Sequence, residues 1–195
     1  MNTILKQLKT AKNIDDKKIA ILMRHAERER IPHGEFGNDF PITKNGEKMA
    51  LDFGKSISGL NVLKIISSPI PRCVQTAESI RKGMGKEIEI KTDNHLGDPG
   101  FHIYDADVIG KKYLEYGAKG VFEKFANGEK MLGLNDTEYL RTTAFDWLKS
   151  QTKENGITIF VTHDALISHF AHANGIKKYS KENWVDFLDG IIVEL

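Results

Sequence analysis

A single cysteine, Cys73, in 195 residues excludes an intrachain disulfide framework and any site built from several thiolates. Proline is scarce too, with five residues, and no proline-rich or low-complexity tract separates one part of the chain from another. No apolar run approaches the roughly 18–20 residues that cross a bilayer. The opening stretch, MNTILKQLKTAKNIDDKK, is too polar for the core of a signal peptide. Neither sign of charge prevails: 28 Lys and Arg face 27 Asp and Glu, a formal net charge of +1. There is then no broad basic field for nucleic acid or an anionic membrane. The expectation is a cytoplasmic protein with no nucleic-acid and no membrane partner. What remains is a globular mixture, 40% hydrophobic and 28% charged, of a length that suits one compact domain.

Hydrophobic spacing divides the chain into alternating strands and helices. KKIAILM (Lys17–Met23), NVLKIISS (Asn61–Ser68) and ITIFVT (Ile157–Thr162) are short aliphatic runs bounded by polar residues, as buried strands are. GKEIEIKT (Gly85–Thr92) alternates as a further strand, and FLDGIIVEL closes the chain as the last. Met49, Phe53 and Ile57 recur at helical spacing behind Thr43, which predicts a helix opened by a threonine cap. Pro71 starts another, with Val74, Ala77 and Ile80 inward. Tyr113, Phe122 and Phe125 mark short helices broken by Gly110, Gly117, Gly120 and Gly128. Asn135-x-x-Glu138 reads as a capping box ahead of Leu140, Ala144, Trp147 and Leu148. That reading is preferred to the glycosylation sequon that Asn135-Asp136-Thr137 also spells. Leu166, Phe170 and Ala173 define a late helix, and Ile4 and Leu8 give residues 1–16 a docked helix or a loose tail. The alternation predicts the α/β class, a three-layer α/β/α sandwich with a mostly parallel central sheet. One domain is expected over residues 1–195, with 93–133 as an insertion on the substrate side.

In open α/β sheets, ligands gather at the carboxyl ends of strands, beside helix N-termini. Three such ends carry unusual residues: Arg24-His25-Ala26-Glu27-Arg28, Ser67-Ser68-Pro69-Ile70-Pro71-Arg72 and Thr162-His163-Asp164. A parallel sheet brings them to one edge, and two histidines with three arginines then repel one another unless an anion is their partner. Phosphate suits such a cluster, because guanidinium forks match its oxygens and helix N-termini add amide donors. An imidazole there can attack phosphorus and form a phosphohistidine, splitting hydrolysis into two displacements. Arginines would stabilise the transferring charge, and a carboxyl group would protonate the leaving alkoxide and later deprotonate water. That chemistry calls for no metal and no cofactor. A zinc reading of His163, His169 and His172 with Asp164 is weaker, because His163 would have to fold back from the strand end. Gly83-Met84-Gly85-Lys86 reads as a turn rather than a phosphate loop, since Glu87 stands where a Ser or Thr is needed.

LMRHAER, SSPIPRCVQTAESI and VTHDALIS resemble, in order and spacing, the three motifs of the histidine phosphatase (phosphoglycerate mutase-like) superfamily. ITKNGEKMALDFGKSI resembles the helix that follows its catalytic loop, so the resemblance runs from Lys17 to about Gly175. It implies a phosphoglycerate mutase-like fold, His25 as nucleophile, and Arg24, Arg72 and His163 holding the phosphoryl group. Arg28, matching the second arginine of an Arg-His-x-x-Arg pattern, would touch phosphate or substrate. The family's Leu-x-Glu pattern falls on Leu96-Gly97-Asp98 and makes Asp98 the expected general acid. The His-Asp pair of the acid-phosphatase branch falls on His163-Asp164 and makes Asp164 the alternative. Ala26 stands where the mutase branch usually has glycine, and Ile31 or Pro32 where it tends to carry asparagine, which weakens a mutase reading.

The expected activity is metal-independent hydrolysis of phosphomonoesters through phospho-His25. A phosphotransferase or mutase, or a non-catalytic phospholigand-binding module on the same fold, is the alternative. The partner is a small phosphorylated substrate or a phosphorylated side chain, and a phosphate or sulfate ion can occupy the site. Loop Glu29–Pro41 and the 93–133 insertion are expected to shape the leaving-group pocket with His33, Phe36, Phe40, His95, Phe101, His102 and Tyr104. Plainer roles compete for some of these residues: Arg28 as a surface charge paired with Glu27 or Glu29, Asp164 as a helix cap, Asp98 as a turn residue before Pro99. Cys73 is expected to be a small buried side chain.

Overall fold

The computed structural model describes residues 2–32 and 34–195; His33, one of the expected pocket residues, lies outside them. Five strands form one sheet: β1 (Lys18–Arg24), β2 (Val62–Ser67), β3 (Glu89–Thr92), β4 (Gly156–Thr162) and β5 (Gly190–Glu194). Their order is β3-β2-β4-β1-β5. All neighbours are parallel except β5, which runs antiparallel to β1. β4 is buried along its whole length because it lies between β2 and β1 with helices on both faces, which explains its unbroken apolar sequence.

Alternate residues of the strands feed two cores, as a period of two requires. Ile19, Ile21 and Met23 of β1, with Ile159 and Val161 of β4, pack on one face against α1 (Thr3–Thr10), α2 (Lys44–Ser56) and α3 (Pro71–Met84). Ala20, Leu22 and Phe160 pack on the other against α4 (Ala106–Ala126), α5 (Thr137–Arg141), α6 (Thr143–Gln151) and α7 (Asp164–Ala173). The fold is thus a three-layer, mostly parallel α/β structure. Its strand order sets the carboxyl ends of β1, β2 and β4 side by side, with Arg24 opposite Thr162 and Ser67 opposite Val161.

Local chemistry explains most element boundaries. The Thr43 hydroxyl accepts from the Gly46 amide and opens α2, and Pro71 occupies the first turn of α3. Three expectations are corrected. The cap before Leu140 is Asp136, which accepts from the Tyr139 amide, while Asn135 turns away to donate to the Phe101 carbonyl. Gly110 and Gly120 do not break the helix; only Gly117 does, with φ +67° and ψ 171°, a conformation that glycine reaches without strain. Val74 is half-buried, and the inner face of α3 runs instead through Cys73, Thr76, Ala77 and Ile80.

Glycine matters most where α2 crosses α3. A β-carbon on Gly83 would sit 2.0 Å from the Leu51 carbonyl oxygen, and one on Gly54 would sit 2.2 Å from that of Ile80. Backbone cannot yield there as a side chain would. Gly83→Ala is therefore expected to destabilise the protein by about 1–3 kcal/mol in urea unfolding, outweighing the gain of about 1 kcal/mol in helix propensity. An unchanged or raised midpoint would show that the two helices are not in this contact.

Candidate active site

His25 follows the last residue of β1, and its amide donates to the Thr162 carbonyl, so the backbone of β4 fixes its position. Its ring is buried. Nδ1 lies 2.8 Å from the Ala26 carbonyl oxygen. A carbonyl only accepts, so Nδ1 carries the proton and Nε2 carries the lone pair. Arg72 Nε donates to that Nε2 at 3.2 Å. Burial, followed by the charges of His163, Arg72 and Arg24, pushes the His25 pKa well below 6.5. The imidazole is therefore neutral near neutral pH. Thr76 ties the loop to α3, accepting from the Ala26 amide at 2.9 Å and donating to the Arg72 carbonyl at 2.7 Å.

Arg72 projects from the first turn of α3. Its Nη1 donates to the Gly37 carbonyl at 2.7 Å, and its Nη2 lies 3.4 Å from His163 Nδ1. His163 precedes α7, with its ring 5.5 Å from that of His25, centroid to centroid, and its Nε2 3.1 Å from Ser68 Oγ. Burial and the Arg72 charge hold its pKa down to about 3. Cys73 lies beneath, its Sγ 3.6 Å from His163 Nε2, and burial pushes the thiol up to about 12. It is a small side chain there, not a reactive thiolate.

Asp164 and Asp98 occupy different surroundings. Asp164 Oδ2 pairs with Arg24 Nη2 at 3.0 Å and accepts from Trp184 Nε1 at 2.9 Å, while Oδ1 accepts from the Ala165 amide. Burial alone would raise its pKa, but Arg24 and the indole win and hold it down to about 2. It is an ionised structural partner that fixes Arg24, more than a helix cap. Asp98 is exposed at the rim with φ +68°. It follows Gly97, where a β-carbon would stand 2.4 Å from Ser68 Oγ and 2.7 Å from His163 Nε2. That close approach carries Asp98 to the mouth of the site.

His25, Arg28, Arg72, Asp98, His163 and Asp164 all line one cleft of about 690 Å³. Arg24 does not line it. Its guanidinium lies behind, stacked 4.2 Å from the Phe187 ring centroid and donating to the Val185 carbonyl at 2.7 Å. Arg24 Nε and Arg28 Nε are buried donors with no acceptor among the described residues. Arg28 donates to the Glu29 carbonyl and, among the described residues, pairs with neither Glu27 nor Glu29 as an ion pair. Of the expected pocket residues, Phe36 and His102 line the cleft. Phe101 packs against Phe170 in the core, His95 stacks on Trp147, and Tyr104 is exposed outside. Ser68 and Thr76 fall within the quoted motifs but have no role of their own in the sequence reading, which does not single out Trp184, Val185 or Phe187 at all. Only the antiparallel return of β5 along β1 brings residues 184–187 to Arg24, and no local pattern announces it.

Residues 20–184 match the model of the histidine phosphatase superfamily (branch 1). The chain belongs to that superfamily, whose members are phosphatases or mutases. It is 26% identical over 162 residues to a 2,3-bisphosphoglycerate-dependent phosphoglycerate mutase of Thermoplasma acidophilum, covering 78% of this chain and 76% of that one. Its fold resembles the phosphoglycerate mutase of Bacillus anthracis, with a TM-score of 0.60, 17% identity and 93% of each chain covered. It also resembles the phosphoserine phosphatase of Entamoeba histolytica, solved with 3-phosphoglyceric acid, with a TM-score of 0.52, 23% identity, and 77% and 76% of the two chains covered.

The buried imidazoles set an acid limit on the fold. Burial pushes the pKa values of His25, His102, His163 and His169 below 6.5, to about 3 for His163 and about 4 for His169. Below about pH 6.5 the unfolded chain takes up protons that the native state refuses, so stability falls as pH falls. Asp164 adds a further loss between its ordinary value and about 2. The urea midpoint should drop steadily from about pH 6.5 to about pH 4. A midpoint constant over that range would contradict neutral burial of these rings.

Proposed function

We propose that this protein is a metal-independent phosphomonoesterase acting through a phosphohistidine at His25. The observation that carries the reading is the neutral His25 ring, with Nδ1–H held by the Ala26 carbonyl and the Nε2 lone pair turned toward Arg72. The substrate's phosphoryl oxygens take the donors of Arg72 and Arg28 and of His163, and Arg24 adds positive charge from behind. His25 Nε2 attacks phosphorus: the N–P bond forms, the P–O bond breaks, and the electron pair leaves with the alkoxide. Asp98, at the rim, is the group that gives that alkoxide a proton. The phosphorylated ring keeps its Nδ1–H on the Ala26 carbonyl, which offsets the charge the ring has gained. Water then attacks phosphorus, Asp98 takes its proton, the N–P bond breaks, and phosphate departs.

Asp164 is a poor candidate for the acid because Arg24 and Trp184 keep it ionised. Transfer to a second alcohol would share the first step, and the mutase name of the Thermoplasma relative supports that second reading. The exposed position of Asp98 at the mouth of the cleft favours water as acceptor.

His25→Ala should lower hydrolysis of 4-nitrophenyl phosphate by about a thousandfold or more and abolish acid-labile phosphate on the protein. Undiminished turnover would remove the mechanism. Asp98→Asn should slow an alkyl phosphate by about a hundredfold while sparing the nitrophenyl ester, whose leaving group needs no proton. Asp164→Asn should slow both alike by loosening Arg24; the opposite pattern would exchange the two roles.

A further inference from the structure

The cleft is far larger than a phosphoryl group, and its charge is unevenly placed. Among the described residues its arginines are Arg28 and Arg72, at the phosphoryl end, and no lysine lines it. Beyond them the walls are apolar or aromatic. Ile31, Pro32 and Phe36 come from the loop before α2, and Ile103, Ile109 and Tyr113 come from the insertion. Ala106, Ile109, Gly110 and Tyr113 share one face of α4. Gly110 lets the Phe36 ring close over that face, since a β-carbon there would stand 3.1 Å from Phe36 Cζ. Phe36 nevertheless remains 51% exposed, as an aromatic side chain waiting at a mouth would be. The Tyr113 hydroxyl is buried with no hydrogen-bond partner among the described residues. An unpaired buried hydroxyl is unfavourable, so it calls for a polar atom from elsewhere. Apart from Asp98, which the mechanism uses, the acidic side chains on the outer wall are Glu35, Asp107 and Glu115. Lys112 pairs with Glu115, whereas Glu35, Asp98 and Asp107 have no ion-pair partner among the described residues.

Resting on the phosphatase reading, we infer that this cleft selects phosphomonoesters whose leaving alcohol has an aromatic or apolar face and no second negative charge. The apolar walls and Phe36 would take that face, and the rim carboxylates would repel an additional anion. A leaving group bearing a carboxylate or second phosphate would have to sit among those acids, and the lysines beside Tyr116, Lys112 and Lys124, are already paired with Glu115 and Glu129.

Three aryl phosphates of similar leaving-group chemistry test this: phenyl phosphate, 4-(carboxymethyl)phenyl phosphate and 4-(aminomethyl)phenyl phosphate. The expected order of kcat/KM places the ammonium and neutral esters above the carboxylate ester by about tenfold or more. In the double variant Glu35→Gln/Asp107→Asn that gap should shrink severalfold, with the neutral ester little changed. Phe36→Ala should lower kcat/KM for phenyl phosphate severalfold and leave methyl phosphate nearly unaffected. A carboxylate ester hydrolysed as well as the neutral one, or a gap untouched by the double variant, overturns the selectivity while leaving the phosphatase reading standing. No turnover of any ester and no phosphate on His25 overturns both.

Discussion

Positive charge crowded at one sheet edge is the constraint around which the site is arranged. Arg24, Arg28 and Arg72 converge with His25 and His163 where β1, β2 and β4 end, and among the described residues a single carboxylate, Asp164, is committed to them. Each guanidinium also donates to a carbonyl oxygen, Val185 for Arg24, Glu29 for Arg28 and Gly37 for Arg72, and Arg72 reaches the two neutral imidazoles as well. Carbonyl dipoles orient a guanidinium without cancelling its charge, so the cluster stays pre-set for a dianion. The same crowding, with burial, keeps both imidazoles unprotonated. On the proposed mechanism, one cluster would thereby both attract phosphate and supply an unprotonated nucleophile.

The two aspartates show how surroundings divide labour between like groups. Asp164 is surrounded by Arg24, the Trp184 indole and an amide, all of which favour its anion. Asp98 stands at the rim after a glycine pressed against His163, and none of those partners reaches it. Chain position alone offered both as acids. Three-dimensional context separates them, because the partners of Asp164 come from β1 and from the segment before β5.

What the sequence made legible was what short-range chemistry controls. Aliphatic runs marked β1, β2 and β4; Thr43 and Pro71 marked helix starts; and the strand-end residues at 24–28, 72 and 163 gave the cluster. Longer-range contacts were not legible. Phe187 and Trp184 reach Arg24 and Asp164 only through the antiparallel pairing of β5. Asn135 lost the cap to Asp136 because the Phe101 carbonyl recruited its amide. Gly110 and Gly120 stayed helical although their lack of side chains suggested breaks, since Ile109, Val121 and Phe122 beside them are held in the core.

The position of β4 has a consequence for how the molecule is made. β1 and β2 do not touch in the sheet; each is hydrogen-bonded to β4, which comes much later in the chain. During synthesis on the ribosome, about the first four-fifths of the polypeptide therefore emerge without the strand that joins them, exposing aliphatic edges open to mispairing. Assembly must wait for residues 156–162, a late event that favours slow folding and a role for holding chaperones while translation finishes.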